Sequence, residues 1–348
     1  MLKETFVRFA ATVAIVGSAA IPTACSNQPG PSLDSSNKIS ISQGIESNSQ
    51  WHNLPALERL RRIMTKDFPP LTDFNRQQET VLATIQNYCS QTSTSASPDE
   101  LISSIEFMTE DKFIPQLSKE LGVILSDAEI ATEKKTRLAI TTSDGKIYIN
   151  QDLVGKMAKD MEVDPALKNY DPRTVLEMSV ITHELVHKDK IADSISFKPF
   201  SATLPENPNR IDFDKLIGFE IEGEDTQGKQ CYMLGGDEAI TDYAASIIVG
   251  KKTGLPFVSP NKYSDGAKLV GLLNRVSNIS DREFLDYVEG KIPQSKLLEK
   301  WGSHRAGRLN TGDNLKTGIL TLAEIAIATQ GLVNFQEVEK GITNDFTR

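Results

Sequence analysis

Val180-Ile181-Thr182-His183-Glu184-Leu185-Val186-His187-Lys188 is the stretch on which the reading of this chain turns. It contains His-Glu-x-x-His, and two of the four histidines in the protein fall inside it. Residues four apart share a helix face, so a helix here lets His183 and His187 present two imidazoles to one metal ion with Glu184 beside them. Asp171-Pro172 supplies the helix start, Asp171 as N-cap and Pro172 at the first helical position, where a missing N–H costs nothing. The run that follows has Val175, Leu176, Met178, Val180, Ile181, Leu185 and Val186, apolar on nearly every side, which predicts a helix buried inside a domain. The alternative for the motif alone is a pair of core histidines satisfied by hydrogen bonds.

A third ligand decides between the two. Gly235-Gly236-Asp237-Glu238-Ala239-Ile240-Thr241-Asp242 reads as a second helix opening, with Asp237 as N-cap after two glycines. Glu238 and Asp242 are four apart and share a face. Glu238 can then bind the metal while Asp242 accepts a hydrogen bond from a ligand imidazole, which fixes its tautomer and raises its basicity. Two His and one Glu leave a fourth position for water, the donor set of a catalytic rather than a structural zinc.

His-Glu-x-x-His followed by Glu-x-x-x-Asp resembles the gluzincins, the thermolysin-like zinc metallopeptidases. The chain departs from their pattern twice. The interval from His187 to Glu238 is 238 − 187 = 51 residues, which is long for the family, and Asp237 stands where the family usually has Asn. The resemblance covers two helices. It implies Zn2+ held by His183, His187 and Glu238, Glu184 as general base for a metal-activated water, Asp242 orienting His183, and hydrolysis of peptide bonds in a peptide or protein substrate, by an endopeptidase rather than an exopeptidase. For the donor that would stabilise the tetrahedral oxygen it points to His304, in the expected loop Gly302-Ser303-His304-Arg305-Ala306-Gly307-Arg308, with Tyr232 and Tyr243 as alternatives. A non-catalytic envelope lipoprotein that keeps the fold as an interaction module is the rival. An acid beside the ligands has no use in a closed structural site, and Glu184 is that acid.

The N-terminus carries a second signal. Lys3 and Arg8 precede the apolar run Phe9 to Ile21, too short to span a bilayer and followed by small residues, as in a secretory signal. Pro22-Thr23-Ala24-Cys25-Ser26-Asn27 resembles a bacterial lipoprotein signal, which implies lipidation of Cys25, a membrane anchor and a cell-envelope location. Cleavage after Ala20, giving a secreted or periplasmic chain, is the alternative. The formal net charge of −9 disfavours nucleic acid as a partner. Cys89 and Cys231, the other two cysteines, are expected as free thiols rather than a pair.

Five segments follow: a signal peptide at 1–24, the lipidated cysteine and a polar tether at 25–50, a helical region at 51–135, a zinc-binding catalytic core at 136–253 and a C-terminal helical region at 254–348. Helices are expected around Leu57 to Met64, Phe74 to Tyr88 and from Pro98 through Met108. Leu138 to Thr142 and Lys146 to Asn150 flank Asp144-Gly145, the pattern of a hairpin with a type I′ turn. The resemblance gives that hairpin the role of an edge strand that pairs with an extended substrate. Between the ligand helices the reading is a loop around Pro199, Pro205 and Pro208, a second hairpin of Ile217 to Ile221 with Cys231 to Leu234, and an acidic run, Glu220, Glu222, Glu224 and Asp225, taken as a solvated edge. His52 is expected to be structural or exposed. The fold class is α+β, mostly helical, with a small antiparallel or mixed sheet packed on a buried His-Glu-x-x-His helix.

Overall fold

The computed structural model describes residues 51, 53–67, 73–122, 124–142, 144–190, 193–204, 207–259, 263–309, 312–330 and 333–344. The expected signal, Cys25, the tether and His52 lie outside the described residues.

The helix that carries His183 organises the packing, as its all-round apolarity requires. It runs Pro172–Asp189, and every residue from Thr174 to Val186 is buried. Asp171 caps it, its carboxylate accepting from Thr174 N at 3.0 Å, with Pro172 in the first turn. In chain order the elements before it are α1 (Ala56–Met64), α2 (Asp73–Gln91), α3 (Pro98–Ser104), β1 (Ile105–Met108), α4 (Glu110–Leu121), α5 (Asp127–Thr136), β2 (Ala139–Thr141), β3 (Ile147–Asn150) and α6 (Gln151–Asp160), so the motif helix is α7. Four of these elements, α1, α2, α6 and β2, pack directly on it.

One polar clamp ties α2 to α7. Arg76 donates from both terminal nitrogens to Glu177, at 3.1 and 3.2 Å, and to Thr174 Oγ1 at 2.9 Å. Glu177 has no exposed side-chain surface, so its charge depends on Arg76 and on Arg173, 3.0 Å away. Removing one partner of a buried pair strands the other charge, at a cost of roughly 3–5 kcal/mol. With Arg173 still in reach, Arg76→Met should destabilise the chain by about 3 kcal/mol, the low end of that range, as read from the urea midpoint.

Residues 98–108 divide where the sequence suggested one helix. Ser97 caps α3 in a reciprocal capping box with Glu100, and the helix ends at Ser104. Ile105 to Met108 then form β1, parallel to β3 with Ile105 opposite Ile147 and Phe107 opposite Ile149. β-branched and aromatic side chains that find a strand to pair with outweigh a helical start three residues earlier. The N-terminal region is therefore not helical throughout.

β2 and β3 form the expected hairpin, antiparallel with Ala139 opposite Ile149, and the sheet order is β1-β3-β2. Its turn differs from the type I′ expectation. Thr142 N donates to Lys146 O and Gly145 N to Thr142 O, so the pair encloses three residues rather than two, and Gly145 has φ of 77°. One left-handed residue after a tighter turn is the longer hairpin loop, in which only the glycine needs positive φ.

The segment between α7 and the next helix is a second sheet rather than a proline-rich loop with one hairpin. β4 (Ser194–Leu204), β5 (Asn207–Ile217), β6 (Glu220–Asp225) and β7 (Gln230–Met233) form an antiparallel sheet in that order. Pro199 sits in β4, an edge strand, at a register irregularity between Ser196 and Phe200, where a missing N–H breaks no ladder bond. Phe197, Phe200 and Phe213 stack with centroids 5.9 and 5.4 Å apart, giving the sheet its apolar face. The expected second hairpin is shifted: Ile217 ends β5, the chain turns at Gly218-Phe219, and it is Glu220–Asp225 that pairs with Gln230–Met233, with Asp225 accepting from Gln227 N and Lys229 N in the turn.

The remaining chain is α8 (Gly235–Ser246), a π-helical turn (Ile247–Lys251), α9 (Ser264–Val276), α10 (Asp281–Val288), α11 (Gln294–Leu309), α12 (Asn314–Thr329) and α13 (Phe335–Asn344). The architecture is mostly helical α+β with one mixed and one antiparallel sheet. Cys89 and Cys231 are free thiols. Among the described residues, no helix is long and apolar enough to cross a membrane.

Candidate metal centre

α7 and α8 pack against each other, and the motif residues meet at their crossing. His183 and His187 point from one face of α7 with rings edge to face, centroids 4.7 Å apart. Glu238 reaches them from the first turn of α8. His183 Nε2 lies 3.0 Å from His187 Nε2 and 3.1 Å from Glu238 Oε2, and His187 Nε2 lies 3.4 Å from Glu238 Oε2. Donors at 2.0–2.1 Å around a tetrahedral ion stand about 3.3 Å apart, so this triangle has the dimensions of one tetrahedral face. The three residues form a group that could hold a metal ion, the one such group among the described residues.

Asp242, fully buried one turn further along α8, places Oδ1 2.6 Å from His183 Nδ1. A carboxylate there keeps hydrogen on Nδ1 and turns the Nε2 lone pair into the triangle. Ser259 donates to the other Asp242 oxygen, so both acceptors are occupied. Asp242→Asn keeps the shape and loses the charge, and should weaken metal binding at least 10-fold in competition with a chromophoric chelator.

The centre attracts positive charge. Burial alone would raise the Glu238 carboxyl, but His187 and His183 hold it well below the usual carboxylate range. Burial would lower His183, and its bonds to Asp242 and Glu238 outweigh this and raise it well above the ordinary imidazole value. A proton and a divalent cation compete for one position when the donors are arranged so.

Glu184 is not one of the three donors. It is 6% exposed, and its Oε2 accepts from Thr141 Oγ1 at 2.6 Å. Thr141 lies on β2, the edge strand. Leu138 O accepts from Asn150 N and Thr142 N donates to Lys146 O, so the alternation of an antiparallel ladder turns the N–H and C=O groups of Ala139 and Thr141 outward, away from β3.

Other members of the site were not visible in sequence. Asp237 is the third residue of α8 rather than its cap, because the helix begins at Gly235, where a Cβ would come within 2.5 Å of Ala326 O. That close approach to α12 leaves room only for glycine at this position. Asp237 instead lies 3.5 Å from His187 Nδ1 and pairs with Lys190, whose Nζ is 3.2 Å from the same nitrogen. Lys190 follows His187 by three residues, so helical spacing alone could have nominated it. Glu220, read as part of a solvated edge, is pushed up to about 7 by burial and by its neighbours Asp237, Glu222 and Glu238. Tyr263 is raised by burial and by the fields of Glu238 and Asp242, and Arg137, held by Glu133 at 2.8 Å, shares that field.

His304 lies within helix α11 and not in a loop, because the helix continues through Gly302 to Leu309. Hydrogen bonds and ion pairs of the triangle join α7, α8 and Lys190 at the end of α7. Tyr243 is committed elsewhere, accepting from Lys251 at 2.6 Å and lying 3.3 Å from Asp281. Tyr232 stands on β7 opposite Glu222.

No family model, curated protein or solved structure matches this chain.

Proposed function

We propose that the chain is a zinc-dependent metallopeptidase that hydrolyses peptide bonds, with Glu184 as general base. The observation that carries this reading is the place of Glu184. It follows His183 in the motif, supplies none of the three donor atoms of the His183–His187–Glu238 triangle, and is held by a residue of the sheet edge. A purely structural site has no role for such an acid.

His183, His187 and Glu238 would hold the ion, and their two imidazoles and one carboxylate suit zinc with one position left to water. When bound, the ion would supply Lewis acidity toward the scissile carbonyl and make water more acidic. The protein's own groups do the rest. The outward N–H and C=O groups of Ala139 and Thr141 offer an extended peptide a strand to join, which lays its backbone along the wall that holds Glu184. Glu184 accepts the proton of the attacking water and returns it to the leaving amine. Thr141, donating to one oxygen of Glu184, fixes the carboxylate's rotamer. The Tyr263 phenol, kept neutral by burial and by the fields of Glu238 and Asp242, is a donor for the developing oxyanion to be tested beside His304.

The N-terminal run and Cys25 support export and a lipid anchor at the cell envelope, with a peptide or protein as substrate and the membrane as attachment. The test is cleavage of an unfolded polypeptide by the zinc-loaded chain and by its Glu184→Gln variant. Equal inactivity of both at full zinc occupancy would favour an interaction module instead.

A further inference from the structure

We infer that Arg137 selects the substrate of this site by receiving a carboxylate of the peptide that lies along β2. The inference rests on the reading of the chain as a peptidase with β2 as its substrate strand.

Arg137 stands where α5 ends and β2 begins. Its backbone is already extended, with φ of −90° and ψ of 99°, and Ala139 opens the strand two residues on. Thr141, which holds Glu184, is four residues beyond Arg137, and at about 3.3 Å per residue that is roughly 13 Å of extended chain. A peptide that pairs with the outward groups of Ala139 and Thr141 therefore runs past Arg137 a few residues from the bond to be cut.

A guanidinium is a rigid planar fork of N–H donors with no acceptor. Glu133, one turn back on α5, occupies one edge of it: Nε donates to Oε2 at 2.8 Å and Nη2 reaches Oε1 at 3.5 Å. Nη1 makes no hydrogen bond among the described residues. Glu133 thus fixes the plane of the fork and leaves its end free, the edge that takes a second carboxylate by two parallel bonds. The Arg137 side chain is 36% exposed, so this edge is open to a ligand.

The guanidinium also lies within reach of the centre's charges. Glu238, in the first turn of α8, and Tyr263, beside the start of α9, both act on it, and Arg137 acts in turn on Tyr263. The lead into β2 and the openings of α8 and α9 therefore border one space. A fixed positive fork there favours an anion, and the anion a peptide carries is a carboxylate, on Asp or Glu or at its C-terminus. The chain as a whole, at −9, repels acidic peptides, so a preference for them has to be local.

The experiment measures binding of dye-labelled, N-acetylated peptides to the full chain by fluorescence anisotropy, in the Glu184→Gln background so that none is cut. Peptides of one neutral sequence are compared: amidated with a single Glu at each position in turn, acid-free with a free C-terminal carboxylate, and acid-free with both ends blocked. A carboxylate peptide should bind about 10-fold tighter than the neutral one, as a charge-assisted pair supplies. Which one does so tells a side-chain carboxylate from the chain end. Arg137→Met should lose the preference and bind the neutral peptide as before, and Arg137→Lys, with the charge but no fork, should keep part of it. No preference for any carboxylate before Arg137 is changed would overturn the inference, as would a preference that survives Arg137→Met. Should Arg137→Met fail to fold, an undiminished preference in Arg137→Lys would overturn it instead. Cleavage of all the peptides at one rate by the zinc-loaded wild type would overturn the selection and leave the peptidase, whereas acid-selective binding with no cleavage by that chain would overturn the peptidase alone.

Discussion

Glu184→Gln should retain one zinc per chain and lose peptide hydrolysis by about 10²–10⁴-fold, the usual contribution of a positioned general acid–base. The substitution preserves volume in a pocket only 6% exposed, and the side-chain carbonyl can still accept from Thr141. What disappears is a basic oxygen able to take a proton from water and hand it on. The triangle is untouched, because Glu184 contributes none of its three donor atoms. Steady-state cleavage of an unfolded polypeptide, run beside metal analysis of the same preparation, reads both halves. Loss of zinc from this variant would mean that Glu184 is a ligand, and undiminished cleavage would remove it from the chemistry.

Glu238→Ala has the second large expected effect. Glu238 is partly exposed, with 19% of its side chain accessible, so the fold should tolerate truncation, while two imidazoles alone no longer complete a tetrahedral face. The variant should fail to retain zinc through gel filtration. It should also lose the stabilisation that zinc confers on wild type, about 2.7 kcal/mol at a free zinc concentration 100 times the dissociation constant. For a chain of this size that corresponds to a shift in Tm of roughly 4 °C. Differential scanning calorimetry with and without zinc should show the shift in wild type and none in Glu238→Ala. An equal shift in both proteins would place the metal elsewhere.

The local signals in the sequence carried further than the long-range ones. Asp171-Pro172 and the all-apolar run announced α7 because capping and burial are written in consecutive residues. His183, His187, Glu238 and Asp242 could be proposed as one group because each pair is spaced four apart, and the two helices do bring them together. Ile105 to Met108 reads as helix in one dimension because a strand of four residues joins its partner across thirty-odd residues of chain, and nothing local marks that pairing. Pro199 hid β4 for a related reason, since a proline is compatible with a strand only at an edge, and edges are not visible in one dimension. Asp237 reads as a cap because two glycines before an acid usually mean one. Here the glycines serve the contact with α12 and the acid serves His187. Thr141 and Ser259 support Glu184 and Asp242 from other elements, so no spacing rule could have found them.

X-ray absorption at the zinc edge of the loaded full-length chain tests the central claim most directly. The expected result is one zinc per chain surrounded only by nitrogen and oxygen at about 2.0–2.2 Å, with two imidazole signatures that fall to one in His187→Ala. A sulfur shell near 2.3 Å, which would bring in Cys89 or Cys231, or a chain that binds no zinc at all, would contradict it.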